Sequence, residues 1–281
     1  MAYNKIEVNR IAGALGAEIL GVDLSRELDN ETFDDIHRAF LDHQVIFFRD
    51  QQISHEQHKA FGRHFGTLNI HPYVKGMDGH PEIMQIVKEP DDRVNFGGGW
   101  HSDMSFLEEP ALGSILYAKE VPPYGGDTLW ANQYLAYETL SDGMKAMLEG
   151  LRAVHTAKGE YSERGHSAQK RKSMEVATAG DDVPSYEHPV VRTHPETGRK
   201  ALYVNPAFTE KFVGMTRRES KPLLNFLFEH CTQEGFTCRF RWTKNAIAFW
   251  DNRCTQHFAL NDYHGHRRHM ERVTVNGDRP F

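Results

Sequence analysis

The chain has 281 residues, 39% hydrophobic and 26% charged, with Gly 23 and Pro 12, which excludes a disordered, collagen-like or low-complexity protein. Lys+Arg number 33 against Asp+Glu 39, a net charge of −6, so the electrostatics favour neither nucleic acid nor an anionic membrane surface as a partner. The length suits one large β-rich domain with an ample core.

In chain order, the N-terminal Met1–Glu7 lacks the apolar core of a signal peptide. Asp29-Asn30 caps a predicted helix that carries Phe33, Ile36, Ala39 and Phe40 on one face. Val45–Phe48 reads as a strand, far too short to cross a bilayer. Ser54-His55-Glu56-Gln57 fits a capping box and opens a second helix. Glu82–Val87 and Gly113–Ala118 read as strands, and Ser141 to Leu151 as a helix with His155, taken as a packing histidine, at its end. The stretch from Ala157 to Asp182 is polar and weakly periodic, which predicts a lid or insert over 157–185. Its basic Lys170-Arg171-Lys172 reads as a solvated face rather than a phosphate contact.

Leu202–Asn205 reads as a further strand, and Thr216-Arg217-Arg218-Glu219 as a second capping box followed by Leu223, Leu224, Leu227 and Phe228 at helical spacing. From Phe236, apolar Phe236, Cys238, Phe240 and Trp242 alternate with Thr237, Arg239 and Arg241, the period of a strand with one dry face. Ala246–Trp250 and Arg272–Asn276 complete the strands. Many short strands with helices at intervals, and no strict βαβ rhythm, predict a single domain over 1–281, mostly β with peripheral helices. The three cysteines, Cys231, Cys238 and Cys254, lack CxxC spacing and are odd in number, which points to a reducing cytoplasm.

The sharpest chemical signal is Trp100-His101-Ser102-Asp103. On an extended backbone, residues two apart point to one side, so His101 and Asp103 can share a metal. His257 follows the apolar strand and its Asp251-Asn252 turn signal, which predicts a third ligand at a strand exit. Two imidazoles and one carboxylate form the facial set of non-haem iron(II) oxygenases. On spacing alone, a zinc site or a surface histidine beside an incidental aspartate stays open. Arg268 and Arg272 would share a strand face about 13 Å apart at roughly 3.3 Å per residue. Each guanidinium fork can grip a carboxylate or sulfonate, unless the two only make surface salt bridges.

These motifs resemble the family of iron(II)- and 2-oxoglutarate-dependent oxygenases that contains taurine dioxygenase and the aryloxyalkanoate dioxygenases. The resemblance spans the chain, from Ala12–Ile19 and Gly21–Leu24 through the Trp100–Asp103 motif and Gly125–Trp130 to the block Trp250–Phe281. It implies a double-stranded β-helix (jelly roll, cupin-like) core, with His101, Asp103 and His257 as iron ligands. It implies that Thr128 and Arg268 hold the far carboxylate of 2-oxoglutarate, and that Arg272 and His71 meet the substrate. The implied reaction uses O2 and hydroxylates a small anionic organic substrate, a sulfonate such as taurine, an aryloxyalkanoate or a sulfate ester, with release of succinate and CO2. A homo-oligomer is also implied. Asn95-Phe96-Gly97-Gly98-Gly99 departs from the polar stretch of the taurine enzymes. A non-catalytic metal- or ligand-binding member of the fold and a zinc hydrolase are the alternatives, but a hydrolase has no use for a 2-oxoglutarate clamp.

Overall fold

The computed structural model describes residues 3–162, 173–178 and 183–281. Strands β1 (Glu7–Arg10) and β2 (Ala17–Leu20) are followed by helix α1 (Asn30–His43), β3 (Val45–Phe48), α2 (His55–Arg63), β4 (Gly76–Met77) and β5 (His80–Lys88). Next come β6 (Ala111–Glu120), β7 (Thr128–Asn132), α3 (Gln133–Glu138), α4 (Asp142–Leu148), β8 (Arg152–Thr156) and α5 (Lys158–Tyr161). The last part holds β9 (Ser185–Pro189), β10 (Val191–Thr193), β11 (Lys200–Leu202), β12 (Thr209–Phe212), α6 (Arg217–Cys231), β13 (Thr237–Phe240), β14 (Ile247–Asp251), β15 (Thr255–Ala259) and β16 (Arg268–Asn276). The described chain is therefore mostly strand, with few helices.

The helix starts follow their caps. The Asp29 side chain accepts from Thr32 N, and the capping boxes Ser54/Gln57 and Thr216/Glu219 are both formed. A helix absent from the sequence reading, α3, begins where Asn132 accepts from the backbone N–H groups of Tyr134 and Leu135. His155 lies in strand β8, not at the end of a helix, because α4 stops at Leu148 and the chain leaves it extended. It is a fully buried packing residue, with Nδ1 3.0 Å from Ser105 Oγ. The strand expected at Leu202–Asn205 is formed slightly earlier, as β11.

Eight strands form the main sheet in the order β1-β2-β3-β14-β6-β16-β5-β4. Its pairs are antiparallel except β2 with β3. Strand alternation gives this sheet two dry faces. Ile46, Phe48, Ile115 and Phe249 face α1 and α2, where Phe40 stacks on Phe249 at 4.1 Å. Phe47, Leu116, Ala248, Trp250 and Met270 face the other way, against Trp130, Cys238 and Phe240 of the three-stranded sheet β13-β7-β15. Phe47 stacks on Phe240 at 4.1 Å across that interface. Each such ring contributes about 1.5–3 kcal/mol by burial. A satellite core joins α3, α4 and α6 to β8, β11 and β12 through Leu148, Ala153, Leu202, Phe212, Leu224 and Leu227.

Lys170-Arg171-Lys172 lies outside the described residues. Nearby, the segment 173–178 runs against the chain before β4: Lys75 N donates to Glu175 O at 3.2 Å and Ala177 N to Tyr73 O at 2.7 Å. Among the described residues no helix is long and apolar enough to cross a membrane.

Candidate active site

After Gly97-Gly98-Gly99 the chain makes one antiparallel bridge to β15, with His101 N donating to His257 O (3.1 Å) and His257 N to His101 O (2.8 Å). The paired backbones set the two imidazoles side by side, ring centroids 4.1 Å apart. The chain then turns at Met104, whose φ is 52°, and aims Asp103 back at both rings. Asp103 Oδ1 lies 3.6 Å from His101 Nε2 and 3.9 Å from His257 Nε2. The three ligand atoms fall within 4.8 Å of one another, and all three residues are buried. His257 sits inside β15 rather than at a strand exit, because the strand resumes at Thr255 immediately after the turn.

The protonation states suit a cation. Nδ1 of His101 lies 2.8 Å from Gly99 O and donates to it, which leaves Nε2 as the nitrogen that faces the cluster. Burial, reinforced by the Arg272 guanidinium, holds the His257 imidazole well below its ordinary pKa and therefore neutral. Burial alone would push the Asp103 carboxyl up, but the Arg272 guanidinium beside it holds it well below the usual carboxylate range. Two imidazole nitrogens and one ionised oxygen are the donor set that suits iron(II). Another buried group, His194, Asp251 and Cys254, is as close-set, but there His194 Nε2 is already bonded to Asp251 Oδ2 at 3.0 Å and burial pushes the Cys254 thiol well above its ordinary pKa, so it stays protonated.

Asp103 is held on every side. Ser114 Oγ donates to Oδ2 (2.7 Å), Arg272 Nη1 donates to Oδ1 (2.8 Å), and the Asp103 backbone N–H donates to Asn252 Oδ1 (3.2 Å). Asn252 in turn takes the Trp250 indole N–H (2.9 Å) and donates to Ser114 Oγ (3.3 Å). The sequence reading missed Ser114 and Asn252. Ser114, a hydroxyl inside the apolar run of β6, was the available signal.

Arg268, Met270 and Arg272 alternate along β16 and so share its inner face. Both arginines are buried, at 5% and 4% exposure, which removes the surface salt-bridge reading. Arg268 Nε and Nη2 have no hydrogen-bond partner among the described residues. Its guanidinium carbon lies 5.9 Å from the Trp242 ring centroid, and Trp242 Nε1 donates to Thr128 Oγ1 at 3.0 Å. Trp242 thus links the two residues and leaves the Thr128 hydroxyl proton for another acceptor. A buried guanidinium with orphaned N–H groups beside an oriented hydroxyl fits a carboxylate.

His71, Phe96, His101, Asp103, Phe208 and Arg272 line a cavity of about 390 Å³. Thr128 and Arg268 are not on its wall; they stand among the inner-face residues of the two sheets. His71 Nδ1 accepts from the N–H groups of Tyr73 and Val74, both at 3.1 Å, which leaves its proton on Nε2. Burial, then Arg272, depresses its pKa to about 3, so it is a neutral donor. Gly97 lets the loop close on the metal ligands: its φ is +74° and a Cβ there would stand 3.3 Å from His101 Cε1.

A profile of the family described as taurine catabolism dioxygenase TauD, TfdA family matches residues 7–274. The chain belongs to this family. As a member of the TauD/TfdA dioxygenases it is an oxidoreductase. It is 36% identical over 280 residues to an alkylsulfatase of Acinetobacter baylyi, covering 98% of this chain and 86% of the relative. A crystal structure of a taurine dioxygenase from Burkholderia xenovorans superposes with a TM-score of 0.84 at 40% identity, over 99% of this chain and 93% of that one. AAD-2 in complex with Mn(II) and N-oxalylglycine superposes with a TM-score of 0.77 at 29% identity, over 98% of both chains.

Proposed function

We propose that this TauD/TfdA dioxygenase hydroxylates a small organic anion with a largely apolar body, an organic sulfonate, alkyl sulfate ester or aryloxyalkanoate. The observation that carries the proposal is that His101 and Asp103, which cluster with His257, line one cavity together with Arg272. Bound iron(II) and 2-oxoglutarate supply, with O2, the oxidising power for C–H hydroxylation, with succinate and CO2 as co-products. His101, Asp103 and His257 would hold the iron, and Arg268 with Thr128 the far carboxylate of 2-oxoglutarate. Arg272 and the Nε2–H of His71 would take the substrate's anionic group. Phe96, Trp100, Met104 and Phe208 would receive its body and exclude water.

The stacked sheets support a double-stranded β-helix core in one domain over 1–281, and the three buried, unpaired thiols fit a reducing cytoplasm. Of the stretch 157–185, read from sequence as a lid or insert, residues 163–172 and 179–182 lie outside the described residues; at its described start Tyr161 on α5 lines the cavity and stacks on Tyr73 at 4.7 Å. A relative known as an alkylsulfatase favours the sulfate-ester class.

The test is succinate formation by the iron(II)-loaded protein with 2-oxoglutarate and O2, across alkyl sulfates, sulfonates including taurine, and aryloxyalkanoates. Stimulation by one anionic class supports the reading. Metal binding with no substrate-stimulated succinate would indicate a non-catalytic member, and activity supported by zinc would indicate a hydrolase.

A further inference from the structure

Lys88 and Arg268 are register partners on β5 and β16. Cross-strand partners leave a sheet on the same face, here the inner face to which Met270 contributes two residues further along β16. Both residues are buried, at 3% and 5% exposure. Lys88 Nζ, like Arg268 Nε and Nη2, has no hydrogen-bond partner among the described residues. The Lys88 ammonium lies 4.5 Å from the centroid of the Tyr263 ring. That ring and the Arg268 stem meet over Gly126, where a Cβ would stand 3.2 Å from Tyr263 Cδ1 and 3.3 Å from Arg268 Cδ.

A buried ammonium and a buried guanidinium on one sheet face, neither with a hydrogen-bond partner for the atoms named, are costly, since each has lost water. Burial lowers the pKa of both. Of the nearby carboxylates, Asp92 Oδ2 takes the Glu89 N–H at 2.9 Å and Asp127 Oδ2 takes Arg239 Nε at 2.6 Å, while Asp127 Oδ1, without a hydrogen-bond partner among the described residues, attracts Arg268 but makes no hydrogen bond to it. An anionic ligand entering between the sheets would satisfy both groups at once.

We propose that Lys88 is a second cationic contact for the far carboxylate of 2-oxoglutarate, beside Arg268. The inference rests on the reading of Arg268 given above. The division of labour follows from the two side chains: the guanidinium fork fixes the carboxylate's orientation, and the ammonium adds a point charge held in place by the Tyr263 ring.

The test is calorimetric titration of the Mn(II)-loaded protein, without oxygen, with 2-oxoglutarate and with pyruvate, a 2-oxo acid that lacks the far carboxylate. Lys88→Met should weaken 2-oxoglutarate about ten- to a hundredfold and leave pyruvate within about twofold. Lys88→Arg should restore most of the loss. The melting temperature of metal-free Lys88→Met should equal or exceed that of the parent, and Lys88→Gln carries the same comparison if Lys88→Met does not fold. Equal weakening of both ligands would assign Lys88 to packing on Tyr263 and overturn the inference. Weakening in Arg268→Met with none in Lys88→Met would overturn it alone. No weakening in either variant would overturn the reading of Arg268 with it.

Discussion

Ser114→Ala isolates the part of the metal centre that no ligand motif reveals. The Ser114 hydroxyl donates to Asp103 Oδ2 at 2.7 Å and accepts from Asn252 Nδ2 at 3.3 Å, in a strand position with no exposure. Removing it deprives an ionised, buried carboxylate of a charge-assisted hydrogen bond worth about 1.5–3 kcal/mol and leaves the Asn252 amide short of an acceptor. It also frees Asp103 to rotate, so that Oδ1 no longer faces both imidazoles at 3.6 and 3.9 Å. Losses of about 10- to 100-fold in metal affinity are usual when such supporting groups are removed, in line with that energy. Mn(II) titration followed by electron paramagnetic resonance reads the affinity directly, and thermal unfolding of the metal-free protein controls for folding. Mn(II) affinity within about twofold of the parent would refute the argument that Ser114 positions the carboxylate.

Arg268→Met should weaken 2-oxoglutarate by about two to four orders of magnitude, because breaking a buried ion pair costs about 3–5 kcal/mol. The metal-free variant should melt no lower than the parent, since the substitution removes a cation whose Nε and Nη2 are unpartnered; a large drop in melting temperature would contradict this. Acid should destabilise the fold through its buried histidines, as His58 and His155 have pKa values pushed by burial from 6.5 down to about 4 and about 3. Protonation therefore favours the unfolded chain: the neutral-state contribution is complete above about pH 6.5 and falls by about 1.4 kcal/mol per pH unit for each group below it. A melting temperature that is flat between about pH 7 and 4.5 would contradict the argument. Gly97→Ala should cost about 1–2 kcal/mol for the left-handed backbone and weaken Mn(II) by crowding His101, whereas unchanged stability and affinity would show that the loop relaxes freely.

The regular elements were legible where local chemistry dominates. Side-chain caps announced α1, α2 and α6, and the alternation from Phe236 to Trp242 placed Cys238, Phe240 and Trp242 inward and Arg239 and Arg241 outward. His155 was misplaced because Leu151-Arg152-Ala153-Val154 is short enough to read as the end of a helix or as a strand, and only pairing with β9 and β12 decides between them. The pattern His-x-Asp and a distant histidine indicated which side chains could meet. Whether they do depends on the bridge from His101 to β15, a contact between residues far apart in sequence. The Ser114, Asn252 and Arg272 contacts around Asp103 come from three separate strand ends or interiors, so no local pattern records them. Lys88 stands one residue beyond the predicted strand Glu82–Val87 and carries no motif, and only its register with Arg268 sets it on the same sheet face.

The most direct measurement is anomalous scattering at the iron edge from crystals loaded with iron(II) without oxygen. The account predicts one strong peak bounded by His101 Nε2, Asp103 Oδ1 and His257 Nε2. A peak at His194, Asp251 and Cys254 with none at the first cluster would contradict it.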